Sequence, residues 1–167
     1  SNGAKAAQAN QTDAYYVKLD SAGRRSYGMF MGGKDEDKYT SLFVNKTGEV
    51  FLYGTTSSDT GISKKLTSSK NSLKDAFITR ISKSNKLVWS KYFGGNGNDE
   101  SSEIVVDKDT SIYISGFTKS NNLATSGSHQ SVFNLNISNT TFDGYLTKIK
   151  NNGSILWSTY YGGPGDD

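Results

Sequence analysis

The chain has 167 residues, a formal net charge of +3 and a hydrophobic content of 34%, with 18 glycines, 10 tyrosines and no cysteine. This composition excludes a disulfide scaffold, thiolate catalysis and Cys-type metal sites, and no apolar run reaches the roughly 18 residues of a membrane helix. The small charge is scattered, with Arg24–Arg25 and Lys64–Lys65 as the basic doublets, which argues against a nucleic-acid partner.

Residues 1–12, SNGAKAAQANQT, are small and polar and read as a lead or linker. One stretch then occurs three times, at Asp13 to Asp37, Asp75 to Asp99 and Asp143 to Asp167. In each copy the first residue of a Gly-Gly pair lies 19 residues after the opening Asp. Each copy opens with a short run of β-formers (Tyr15–Leu19, Phe77–Ile81, Tyr145–Ile149) that reads as a strand. Gly23, Asn85 and Gly153 follow at hairpin-turn positions, because Gly and Asn accept positive φ most easily. A second strand runs over 27–31, 87–93 and 155–161. Tyr27, Trp89 and Trp157 share one position in it, and a large ring there is expected in the core between stacked sheets.

The Gly-Gly pairs end these strands and lead into acidic loops. A third strand is expected at 42–44 and 104–106, where three-residue apolar runs suggest burial on both faces. Turns follow at 45–48 and 107–110. A fourth strand covers 50–53 and 112–115 and ends at Gly54 and Gly116. The two full repeats differ in length only between 55–74 and 117–142, so these are exposed loops. Leu123, Val132, Phe133 and Leu135 in the second loop are expected to pack down in part.

Units of about 60 residues with four short antiparallel strands point to an all-β fold of β-propeller blades. The order is an outer half-blade with its connection (13–37), a blade (38–99) and a second blade (100–167), making ten strands and a partial propeller of about two and a half blades. The pieces DAFITRIS, LVWSKYFGGNGND, IVVDKDTSIYISGFT, DGYLTKI and ILWSTYYGGPGDD resemble the bacterial SBBP β-propeller repeat, in spacing as well as in type. The first copy departs most, with Tyr27 in place of Trp and KDED in place of the Gly-Asp-Asp ending. The resemblance implies a multi-bladed propeller in secreted or surface-exposed bacterial proteins. Asn151-Asn152-Gly153 followed by Trp157 is also similar to the Asp-box hairpin of sialidase-type propellers, a pattern the other two copies lack.

Catalytic and metal constellations are weak. Asp37, Asp99 and Asp167, with Asp35, Glu36, Asn98, Glu100 and Asp166 nearby, offer two to four oxygens per loop. Calcium needs about six to eight, so these Asp residues read as caps on turn amides. Asp13, Asp75 and Asp143 read as hydrogen-bonding partners of neighbouring turns. His129 is the sole histidine and reads as solvated. Sequons stand at Asn10, Asn45, Asn136, Asn139 and Asn152, a frequency chance explains in so Asn-rich a chain. No catalytic residue, metal site or cofactor is assigned. The expected function is a non-enzymatic scaffold or binding segment of a larger bacterial surface or secreted protein, recognising partners through loops 55–74 and 117–142. Its partners would be the remainder of its own propeller or other protein chains, with glycans as a further class. A carbohydrate-binding or carbohydrate-processing propeller and a structural subunit of a surface fibre or secretion assembly are the alternatives.

Overall fold

A computed structural model of the chain describes residues 12–62, 74–133 and 141–165. They form ten strands: β1 (Ala14–Leu19), β2 (Arg25–Met31), β3 (Asp37–Val44), β4 (Val50–Thr56), β5 (Asp75–Ile81), β6 (Leu87–Phe93), β7 (Asp99–Val106), β8 (Ile112–Thr118), β9 (Asp143–Ile149) and β10 (Ile155–Tyr161). Neighbouring strands pair antiparallel in sheets of two, four and four, in the orders β1-β2, β3-β4-β5-β6 and β7-β8-β9-β10. This is an all-β partial propeller: a half-blade followed by two blades. Among the described residues no helix is long and apolar enough to cross a membrane.

The three outer hairpins close alike. Asp20, Ser82 and Lys150 each donate a backbone N–H to the residue four further on and accept one from the residue three further on. The residue that closes the turn has positive φ in each, at 75° for Gly23, 60° for Asn85 and 82° for Gly153, the conformation in which Gly and Asn meet least steric cost.

Blade stacking makes the core. Phe51, Tyr53, Ala76, Ile78 and Phe93 on one face of the middle blade pack against Ile112, Ile114, Tyr145 and Ile149 of the last blade. Its other face carries Leu52, Phe77, Ile81 and Tyr92, which meet Ala14, Tyr16, Met29 and Met31 of the half-blade. Consequently β4 is buried along its whole length and β5 nearly so.

The inner strands do not have the double burial expected from their apolar runs. They begin earlier, at Asp37 and Asp99, and their burial alternates. Ile104 and Val106 of β7 are 1% and 8% exposed, whereas Leu42 and Val44, at the same places in β3, are 50% and 53% exposed. The cause is the preceding sheet. Strand β7 has the four-stranded middle blade before it, but β3 has a half-blade without inner strands.

Deep in the blade interface the hydroxyls of Tyr53 and Tyr145 meet in a short hydrogen bond, and Tyr145 Oη also lies 3.1 Å from Glu100 O, to which it can donate. Burial raises the pKa of both phenols, so they stay neutral. Tyr145→Phe leaves the fully buried Tyr53 hydroxyl without this partner. The expected loss of folding stability is about 1–3 kcal/mol, measured by urea denaturation, and an unchanged midpoint would show that the pair carries no net stability.

Candidate functional site: an open blade face with a cleft

The long loop after β8 runs back along the outer edge of its own blade. Thr125 N–H donates to Ser158 O at 2.9 Å and Tyr160 N–H donates to Gln130 O at 3.0 Å. Gln130 N–H donates to Thr159 Oγ1 at 2.8 Å, and Leu123 N–H donates to Tyr160 Oη at 2.9 Å. Leu123 and Phe133 are buried, and Phe133 meets the Tyr160 ring edge-on at 5.4 Å. Val132 instead stands 72% exposed, and Leu135 lies outside the described residues. The loop covers the β10 edge, which would otherwise present free amides and carbonyls to another chain.

Anchored in this way, residues 125–129 form one wall of a cleft of about 600 Å³ whose other wall is Leu146, Leu156, Trp157 and Tyr161. His129 is part of this site: its ring stacks on Tyr161 with centroids 6.3 Å apart and planes 24° from parallel. The sequence could not show this, because the two residues meet only after the loop has folded back along β10.

Trp157 is not the core ring its position suggests. Its counterpart in the middle blade, Trp89, packs against the main core and donates its Nε1–H to Asn151 O of the next blade's hairpin turn at 3.1 Å. Arg80 Nη1 donates to the same carbonyl at 3.1 Å, and Lys91 Nζ donates to Asn152 O at 3.0 Å. Arg80 is held for this by Glu49 at 2.6 Å, with its guanidinium 5.7 Å from the Phe51 ring centre. On the last blade the corresponding Lys148 stands 5.0 Å from the ring centre of Tyr113. Tyr113 in turn meets Trp157 edge-on at 6.4 Å. No further sheet follows among the described residues. Phe117, Leu146, Leu156 and Tyr161 are therefore exposed, at 43%, 39%, 42% and 72%.

The Gly-Gly loops hold a second recurring arrangement. Asp99 Oδ2 accepts Gly95 N–H at 2.7 Å and Ser120 Oγ–H at 2.8 Å, while Thr118 Oγ1 donates a short bond to Oδ1. Asp37 repeats this with Gly33, Ser58 and Thr56. Burial raises the pKa of Asp99 to about 6, against the opposing pull of these three hydrogen bonds. Asp75 and Asp99 bracket Gly94 so closely that an added Cβ would lie 2.5 Å from one carboxylate and 2.9 Å from the other. These aspartates pin the step from one blade to the next. Among the described residues no three His, Cys, Asp or Glu side chains gather as metal ligands. Asp166 and Asp167 lie outside the described residues, as do Asn10, Asn136 and Asn139.

Three stacked antiparallel sheets with this blade-to-blade step define the protein as a partial β-propeller. Residues 88–124 match the family model of the SBBP beta-propeller repeat, a stretch that runs from β6 through the Gly94–Gly95 step and strands β7 and β8 into the long loop. No curated protein matches the chain.

Proposed function

We propose that the chain is a non-enzymatic propeller scaffold and binding segment of a larger bacterial surface or secreted protein. Its partners are protein surfaces, either the remainder of its own propeller or other chains, and loop 119–133 borders the recognition site. The observation that carries this reading is the difference between the blades. Strands β4 and β5 of the middle blade are covered on both faces, whereas the last blade exposes Phe117, Leu146, Leu156 and Tyr161 on one. A contiguous apolar face of this kind marks an interaction site.

Sugar binding is the second reading, favoured by the rings of Trp157 and Tyr161 on one wall of the cleft and by His129 with Thr125, Ser126 and Ser128 on the other. Amide hydrogen exchange of the isolated chain and of the same segment within its full-length parent separates the two. Protection gained across β9 and β10 in the parent is expected. Unchanged exchange, together with glycan-array binding that Trp157→Ala abolishes, would transfer the function to sugars. Turnover of a glycoside substrate by the parent would end the non-enzymatic reading.

A further inference from the structure

We infer that the hairpin-turn end of the blades is a cationic face that docks on an anionic lipid bilayer surface. This goes beyond the protein-interface reading above and does not rest on it, because that reading concerns the side of a blade and this one its end. In an antiparallel meander every second connection returns to the same end. In the middle blade Val44, Val50, Ile81 and Leu87 stand level across the four strands. In the last blade Val106, Ile112, Ile149 and Ile155 do the same. The turns beyond these levels carry Lys46, Lys83 and Lys86 in the middle blade and Lys108 and Lys150 in the last, all exposed. Along the chain these lysines are far apart, so the sequence shows scattered charge, and the meander gathers it. Blade stacking does not cover this end. The middle blade packs against a sheet on either side and still exposes its three turn lysines.

The two signs of charge at this end are held differently. Most of its carboxylates are occupied by nearby donors. Asp20 accepts the Ala22 and Arg24 N–H groups and the Arg24 guanidinium. Glu49 accepts from Arg80 at 2.6 Å, and Asp107 accepts the Asp109 and Ser111 N–H groups. Asp109 is exposed beside Lys108. Among the described residues none of the five lysines is in an ion pair. The other end, at the Gly-Gly steps, is mixed. There Lys34 pairs with Asp59 and Lys74 with Glu100, and Asp35 and Glu36 follow Lys34 directly. The described residues therefore carry uncompensated positive charge at the turn end.

The layout of these cations selects a surface as the partner. The two turns of a blade stand two strand spacings apart, roughly 10 Å, and blades stack about 10 Å from one another. The lysines thus lie on a two-dimensional grid. A linear polyanion meets one row of such a grid at a time, whereas a charged plane meets all of it. Lysine is a hydrated point charge, suited to a diffuse anionic layer more than to bidentate recognition of one phosphate. The turns carry no aromatic ring on which a base could stack. Leu87 and Val88, each 46% exposed, follow Lys86 directly, and aliphatic side chains beside cations enter the headgroup boundary. Clusters of about four to eight such cations are sufficient for attraction to anionic lipid.

Co-sedimentation of the 167-residue chain with vesicles tests this. Binding is expected to phosphatidylcholine vesicles containing about one-third phosphatidylglycerol and not to phosphatidylcholine alone, and it should fade as salt shortens the Debye length. Lys86→Gln and Lys108→Gln are each expected to weaken binding about fivefold. Lys34→Gln and Lys38→Gln, at the other end, remove the same charge and are expected to leave it unchanged. All four residues are exposed, and far-UV circular dichroism checks that the variants fold. Equal weakening by both pairs would mean that net charge attracts and not this end, which overturns the docking face. Equal binding to neutral vesicles, or binding to neither kind, overturns it as well. Capture of dissolved polyphosphate with no binding to anionic vesicles gives the face to a linear polyanion and ends the bilayer reading. None of these outcomes alters the exchange measurement across β9 and β10, so the protein-interface reading stands or falls separately.

Discussion

Gly116→Ala is expected to lower folding stability by about 3 kcal/mol, and its repeat, Gly54→Ala, by a similar amount. A Cβ at Gly116 would lie 2.0 Å from Glu100 O and 2.6 Å from Tyr145 Oη. Neither atom has room to retreat. Residues Glu100 and Ser101 are paired across the ladder with Phe117 and Gly116, and Tyr145 Oη is shared between Tyr53 and Glu100. Gly54 has the same surroundings, with Lys38 O at 2.1 Å and the Phe77 ring at 2.8 Å from the added atom. Here glycine serves close approach, since neither residue has positive φ. Gly28→Ala is the control: it meets nothing nearer than 3.6 Å, and a change within about 0.5 kcal/mol is expected. Urea denaturation of the three variants decides. A Gly116→Ala midpoint close to that of Gly28→Ala would mean that the ladder yields where the packing says it is held.

Stability is expected to fall as pH rises from about 4 to about 6, through the titration of Asp99. Its pKa in the folded chain is about 6, raised from 3.8 by burial. Between these values the folded chain keeps a proton that the unfolded chain has released. The unfolded state then binds fewer protons, so the slope of unfolding free energy against pH is negative. A displacement of that size corresponds to about 3 kcal/mol across the window. Asp37 is raised for the same reason and adds in the same direction. Glu49 acts oppositely. Although desolvation works against it, hydrogen bonds from Arg80 and Asn45 lower its pKa, so its contribution is lost as the solution becomes acidic. The clean comparison is therefore between the wild type and Asp99→Asn, which cannot ionise. The thermal midpoint of the wild type should drop between pH 4 and 6 relative to that of the variant. Parallel curves would show that the buried carboxyl has no raised pKa.

The position of the hairpin turns and of the central part of each strand was legible from the repeat, because those features are local. A run such as Asp75–Ile81 is β-forming wherever it lies. Gly23, Asn85 and Gly153 mark turns through their own backbone preferences, and the tripled spacing shows which neighbours pair. The Asp99 cradle was half legible. An aspartate four residues after a Gly-Gly pair suggests a turn cap, but its further partners, Thr118 and Ser120, come from across the strand pair. No sequence spacing connects them to it.

What the sequence by itself determined is the unit, with its four strands, its hairpins, its Gly-Gly-Asp step and its resemblance to propeller repeats. What only the tertiary structure decided is which faces of those units are covered. Ile104 and Leu42 hold the same place in their blades, yet one is 1% exposed and the other 50%. Trp89 grips the next hairpin, whereas Trp157 lines an open cleft. Strand formation depends on a residue and its near neighbours along the chain. Burial depends on whether another sheet stands about 10 Å away, and that is a property of the stack.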